Sequence, residues 1–107
     1  MMRLSNKQIQ NFKNTGFLIV RKLYYGEELN EITQWVDEVA NYPEIKNKYM
    51  MYFEQSKINE KKRILSRMEN LEPFHKGFSK LFISGKIQNI TSELFGENAI
   101  LFKDKIN

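Results

Sequence analysis

Cysteine is absent from this sequence of 107 residues, and histidine occurs only once, as His75. Without cysteine the chain can form no disulfide, no thiolate metal site and no cysteine nucleophile. A single histidine cannot supply a metal site that needs two imidazole ligands, and no G-x-S-x-G motif provides a nucleophilic serine. We therefore expect no catalytic residue and no metal ligand in the chain, and we expect His75 to lie on the surface or to cap a helix.

Long apolar runs are also lacking. A typical run, Phe17–Val20, is far shorter than the roughly 18–20 residues of a membrane span. The N-terminus carries charge but not the apolar core of a secretory signal. These absences predict a cytoplasmic protein with no membrane partner.

Basic residues exceed acidic ones and give a net charge of +4, but 13 of the 17 basic residues are lysine. The basic run Lys61–Arg63 lies at a predicted hairpin, where solvated loop charge is a more common role than phosphate or nucleic-acid contact. The charge is therefore weak support for a nucleic-acid partner.

The N-terminal part of the chain carries clear signals for one helix and one strand. Ser5 and Gln8 have the spacing of a capping box, which predicts a helix over residues 6–15 that Gly16 ends. The apolar segment 17–21 follows at once and predicts a strand that is covered on both faces.

The remaining sequence alternates between helical and extended patterns. An acidic first turn and apolar residues at helical spacing predict a helix over residues 27–41. Segments 49–54 and 63–68 predict an antiparallel hairpin, and residues 99–107 predict the last strand. Between them we expect helices that begin at Pro73 and after Ser84. This order predicts one α+β domain over residues 1–107, with helices packed on a small, mainly antiparallel sheet.

Strict alternation in the last strand would divide its side chains between two faces. One face would carry Lys103, Lys105 and Asn107, and the other Ile100, Phe102 and Ile106. Two interpretations stay open: the strand emerges into solvent, or its cationic face enters an anion-binding pocket.

The order of motifs is similar to the N-terminal part of phytanoyl-CoA dioxygenase-like proteins. The opening segment Leu4–Arg21 resembles the first helix and strand of that family, and Trp35–Asp37 matches the end of its acidic helix. Segments Arg67–Asn70, Leu94–Gly96 and Leu101–Asn107 follow in the family's order. The resemblance covers essentially the whole chain.

The resemblance implies a particular fold and chemistry. Family members are Fe(II)- and 2-oxoglutarate-dependent oxygenases with a double-stranded β-helix, or jelly roll, and an H-x-D…H iron site. The resembling segment precedes that motif, so we expect an N-terminal fragment, truncated before the metal-binding strands and inactive alone. Iron, 2-oxoglutarate and a small-molecule substrate would belong to a full-length relative. The resemblance also implies that Lys103, Lys105 and Asn107 are cofactor-binding residues.

Two alternatives stay open beside this interpretation. The chain could be a stand-alone α+β interaction module, or, less favoured, a basic nucleic-acid-binding protein. Unpaired strand edges invite pairing with another strand. We therefore expect self-association of the chain into a homo-oligomer through its exposed strand edges.

Overall fold

The structure is a computed structural model that describes residues 3–107. Its elements, in chain order, are α1 (Asn6–Thr15), α2 (Gly26–Ala40), β1 (Met50–Gln55), β2 (Arg63–Glu69), a 3-10 turn (Glu72–Phe74), α3 (Lys76–Ile83), α4 (Gly85–Phe95) and β3 (Lys105–Ile106). The strands form one antiparallel sheet in the order β1-β2-β3. The α+β prediction and the predicted hairpin are confirmed. Within the described residues, no helix has both the length and the apolar character needed to cross a membrane.

Helix α1 begins at the capping box that the sequence predicts. The Gln8 amide donates to the Ser5 hydroxyl at 3.1 Å, and the Ser5 amide donates to the Gln8 side chain at 2.8 Å. Gly16 ends the helix with φ of +84°, the left-handed region in which glycine is favoured. Two backbone amides at the start of α1, those of Ser5 and Gln8, are thus satisfied by nearby side chains.

Replacing Ser5 by alanine is expected to lower the free energy of unfolding by about 1 kcal/mol, because the Gln8 amide loses its acceptor. Ser84 offers a matched control: it holds the N-cap position of α4, but its hydroxyl donates backwards to the Lys80 carbonyl of α3 at 2.8 Å and accepts no amide of α4. The Lys80 carbonyl also accepts the Ser84 backbone amide, so it keeps a partner when the hydroxyl is removed. In urea denaturation, Ser84→Ala should cost less than half as much as Ser5→Ala. Equal losses would contradict the assigned capping role.

The predicted strand over residues 17–21 is wrong. Residues 17–20 adopt no regular secondary structure, and Phe17 and Ile19 are 62% and 65% exposed. An extended apolar segment becomes a strand only where another strand accepts its hydrogen bonds. In the part of the chain that the structure describes, no strand pairs with this segment, which runs from α1 towards α2.

Strands β1 and β2 pair through a register that shifts once. Tyr52 lies opposite Arg67 and Phe53 opposite Leu65, so Ser66 is an extra residue, a β-bulge. The Ser66 hydroxyl donates to the Tyr52 carbonyl at 3.1 Å.

The core lies between the sheet and helices α2 and α3. Leu71 and Phe78 are its most buried large side chains, at 0% and 2% exposure. Trp35 packs edge-on against Phe78, with ring centroids 5.8 Å apart. The same indole covers Gly77 so closely that a Cβ there would lie 2.4 Å from the Trp35 Cε2 atom. The helix layer therefore depends on a glycine at one contact. The apolar core consists of Val39, Tyr49, Met68, Leu71 and Phe78.

The last strand is much shorter than predicted, since only Lys105 and Ile106 pair with β2. Ile106 packs against the core as expected. The last strand's apolar face, Ile100, Phe102 and Ile106, was expected to pack on the helices, and for Ile100 and Phe102 this expectation is wrong: they are 86% and 96% exposed. Both residues precede the paired part of β3, so the sheet does not hold them against the helices.

Asp104 fixes the approach to β3. Its carboxylate accepts the backbone amide of Leu71 at 2.8 Å and that of Glu72 at 3.3 Å. Buried carboxylates need such donors. These contacts direct Asp104 towards the 3-10 turn, on the side of the sheet that alternation assigns to it together with Ile106.

Candidate open-face charge site

Among residues 3–107, no helix packs against one face of the sheet. Side chains alternate between the two faces along a strand. Met51 and Met68 pack against the core on the helix side. Their neighbours, the cross-strand pairs Met50–Glu69 and Tyr52–Arg67, therefore lie on the other face. Met50 and Tyr52 are 46% and 38% exposed. We call this side of the sheet the open face.

Charged side chains gather on the open face around Glu69. One Glu69 oxygen lies 3.3 Å from Arg67 Nε, and the other lies 3.4 Å from Lys103 Nζ. Lys105 is directly opposite Glu69 in the β2–β3 ladder, and the Arg67 guanidinium lies 4.1 Å above the Tyr52 ring. We call Arg67, Glu69, Lys103 and Lys105 the open-face cluster.

Glu69 is the most buried member of the open-face cluster, with a side chain 11% exposed. Burial alone would raise the pKa of its carboxyl group. The pKa of Glu69 nevertheless lies below its usual value, because other effects outweigh burial. These effects are hydrogen bonds from Tyr52 and Lys103 and the positive charges of Arg67 and Lys103. Glu69 is therefore ionised at neutral pH. Its stabilising contribution is present above its ordinary pKa and is lost as the pH falls through the lowered value.

The structure places the three predicted cofactor-binding residues in two locations. Lys103 and Lys105 both join the open-face cluster. Asn107 instead lines a groove of about 140 Å³ beside α2, whose walls include Val36 and Ile106. Cofactor binding by these residues stays a prediction.

Arg67 and Glu69 are site residues that sequence reasoning missed. Both lie in β2, two residues apart, so alternation places them together. The signal was present, but the predicted strand ended at residue 68 and its pairing partner on β3 was not recognised.

His75 caps helix α3, which confirms one of its two predicted roles. The other, a surface position, is wrong, because the residue is buried. Its Nδ1 atom accepts the Phe78 amide at 3.1 Å, and its Nε2 atom lies 2.7 Å from a Glu38 oxygen. The first contact leaves Nδ1 without a proton, so Nε2 carries it and donates to Glu38. Both ring nitrogens are thus engaged in the helix layer.

The described residues do not fit an iron site. Across residues 3–107, no three histidine, cysteine, aspartate or glutamate side chains stand close enough to hold a metal ion. His75 already uses both nitrogens, and the open-face cluster offers one carboxylate surrounded by cations. No metal-dependent step can be assigned to these residues.

The chain is similar to two oxygenases along nearly its whole length. It is 34% identical over 107 residues to the 2-aminoethylphosphonate dioxygenase of the uncultured bacterium HF130_AEPn_1. The aligned region comprises 100% of this chain and 40% of that enzyme. It is 32% identical over 104 residues to the methylphosphonate hydroxylase of Gimesia maris. That aligned region comprises 97% of this chain and 39% of the enzyme. The chain thus spans about two fifths of the length of the curated relatives it matches.

No protein-family model matches the chain, and no solved structure matches it. The similarity to a dioxygenase and a hydroxylase agrees with the oxygenase resemblance of the sequence motifs. It relates the chain to part of an oxidoreductase.

Proposed function

We propose that this chain is the N-terminal portion of a phytanoyl-CoA dioxygenase-like hydroxylase that acts on a phosphonate. The proposal is based on the similarity to two enzymes named for phosphonate oxidation. That similarity extends along nearly the whole chain and over about two fifths of each enzyme. The intact protein would use Fe(II) and 2-oxoglutarate, with the iron ligands supplied by polypeptide beyond residues 3–107.

The architecture supports a proposal for the role of this portion. Helices α2 and α3 back one side of the sheet, and the open face presents Arg67, Lys103 and Lys105. In the proposed enzyme the open face is directed towards the remaining polypeptide and an anionic ligand. Lys103, Lys105 and Asn107 are the proposed contacts to 2-oxoglutarate.

A chimera tests the proposal. The segment of the Gimesia maris methylphosphonate hydroxylase that aligns with this chain is replaced by residues 1–107, and succinate formation is measured with Fe(II), 2-oxoglutarate and methylphosphonate. We expect turnover by the chimera, and none by the hydroxylase without the segment or by the isolated chain. A folded chimera without turnover, or 2-oxoglutarate consumption by the isolated chain, would contradict the proposal.

We also propose a second copy of the chain as a partner of the isolated domain. β1 and β3 are the two edges of the sheet, and the residues preceding β3 expose Ile100 and Phe102. Unpaired edges and exposed apolar side chains favour association. The area that such a contact would bury depends on its register.

A further inference from the structure

Most of β2 lacks a neighbour on the side away from β1. The strand runs from Arg63 to Glu69, but β3 pairs only with Met68 and Glu69. Among residues 3–107, no strand therefore lies beside Arg63–Arg67 on that side. We call this part of β2 the free edge. A free edge presents backbone groups with which another strand can pair.

The hydrogen-bond pattern directs particular backbone groups to the free edge. The Ser56 amide donates to the Lys62 carbonyl at 2.9 Å, so these two residues form a hydrogen-bonded pair. Such pairs alternate with non-hydrogen-bonded pairs in an antiparallel ladder. Ile64, two positions along β2, therefore directs its backbone groups to β1. Leu65 directs its own backbone groups to the free edge.

A groove lies where β3 stops beside the free edge. It has a volume of about 140 Å³, and its walls come from α2, from residues 65–68 of β2 and from the last two residues of β3. Leu65 and Ile106 line it, as does Val36 of α2, which is 37% exposed. An apolar cavity of about 150 Å³ holds a benzene molecule, so the groove has room for one apolar side chain.

The register of β3 shows which residue of a longer strand would enter the groove. Ile106 lies opposite Met68, and both pack against the core on the helix side. Side chains alternate along a strand, so the second position after Ile106 returns to the helix side. Each residue advances a strand by about 3.3 Å. The position directly after Asn107 would therefore lie beside residues 65–66 of β2, where the groove is.

We propose that the polypeptide following Asn107 in the full-length protein continues β3 along the free edge, with an apolar side chain directly after Asn107 that fills the groove. The inference rests on the proposed function, under which polypeptide follows Asn107. It identifies a contact between this portion and the rest of the enzyme. A continuation of the same strand is favoured over a second copy of the chain, because a covalently attached segment pairs at high effective concentration.

Two four-residue extensions of the full chain test the proposal. The extension Val-Thr-Val-Thr after Asn107 places valine in the groove, and Thr-Val-Thr-Val, of the same composition, places threonine there. We expect the first extension to raise the urea midpoint of unfolding and to slow hydrogen exchange of the Leu65 amide, followed by NMR, at least tenfold. The second should give less than half that rise, because burial of a hydroxyl without a partner is costly.

Three results would overturn the proposal. The first is no change in the urea midpoint or in Leu65 exchange with either extension. The second is an equal gain from both extensions, which would refute the assigned register. The third is a gain that grows with protein concentration, which would place a second copy of the chain on the free edge.

Variants of α2 test whether the groove is the source of the gain. Val36→Ala removes apolar surface from the groove, so it should at least halve the rise in midpoint that the Val-Thr-Val-Thr extension gives. Leu29 offers a matched control, because it is a 46% exposed residue of α2 that does not line the groove. Leu29→Ala should leave the rise unchanged. Equal effects of the two variants would contradict the proposal.

The chimera with the Gimesia maris hydroxylase supplies a natural continuation after Asn107. In the folded chimera the Leu65 amide should exchange as slowly as in the chain with the Val-Thr-Val-Thr extension, whether or not the chimera turns over. Turnover without this protection would refute the present inference alone. Protection without turnover would contradict the proposed function and support the strand continuation.

Discussion

Replacing His75 by alanine is expected to lower the free energy of unfolding by about 3 kcal/mol. The change removes the acceptor for the Phe78 amide and the donor to Glu38. It also leaves a cavity beside Trp35, whose ring centroid is 5.8 Å from that of His75. Loss of a cap costs about 1 kcal/mol, and removal of a large buried side chain adds the cavity cost. Chemical denaturation followed by circular dichroism measures the loss.

Two further variants divide the expected loss between its causes. His75→Asn keeps a side-chain acceptor at the N-cap of α3, so it should retain about 1 kcal/mol relative to alanine. Glu38→Gln keeps an acceptor for His75 Nε2 at a half-exposed position, so it should cost less than 1 kcal/mol. A loss under 1 kcal/mol for His75→Ala would show that the residue is not a structural cap.

Replacing Gly77 by alanine is expected to cost about 2 kcal/mol. The new Cβ would lie 2.4 Å from Trp35 Cε2, a distance that forces the indole or helix α3 to move. Overpacking of this kind costs about 1–3 kcal/mol, and the better helix propensity of alanine offsets at most about 1 kcal/mol. The loss should appear in the same denaturation assay.

A double-mutant cycle tests the cause of that loss. Trp35→Phe removes the part of the indole nearest Gly77, so Gly77→Ala should cost at least 1 kcal/mol less in that background. If the two changes are additive instead, the contact between the indole and α3 is not what makes alanine unfavourable at this position.

Local signals in the sequence predicted the parts of the fold that depend on local contacts. The Ser5–Gln8 box and Gly16 define α1 through hydrogen bonds within a few residues, and the hairpin depends on two neighbouring segments. The strand over residues 17–21 was predicted from an apolar run alone. A strand also needs a partner, which the run does not specify.

The candidate site was predictable only in part. Alternation placed Lys103 and Lys105 together, and both do contact or face Glu69. Asp104 binds the backbone amides of Leu71 and Glu72, more than 30 residues away in sequence. The burial of His75 depends on Glu38 and Trp35 in another helix. Such tertiary contacts leave no periodic trace in the sequence.

The bulge at Ser66 allows the length of β2 to change. Leu65 and Met68 are three positions apart, yet both face the helices because Ser66 is accommodated without a partner. Deleting Ser66 would leave Leu65 directly before Arg67, and regular alternation would keep both on their present faces. The strand can therefore lose one residue here without exchanging its core and open-face side chains. A deletion at residue 68, by contrast, would place the following side chains of β2 on the opposite face.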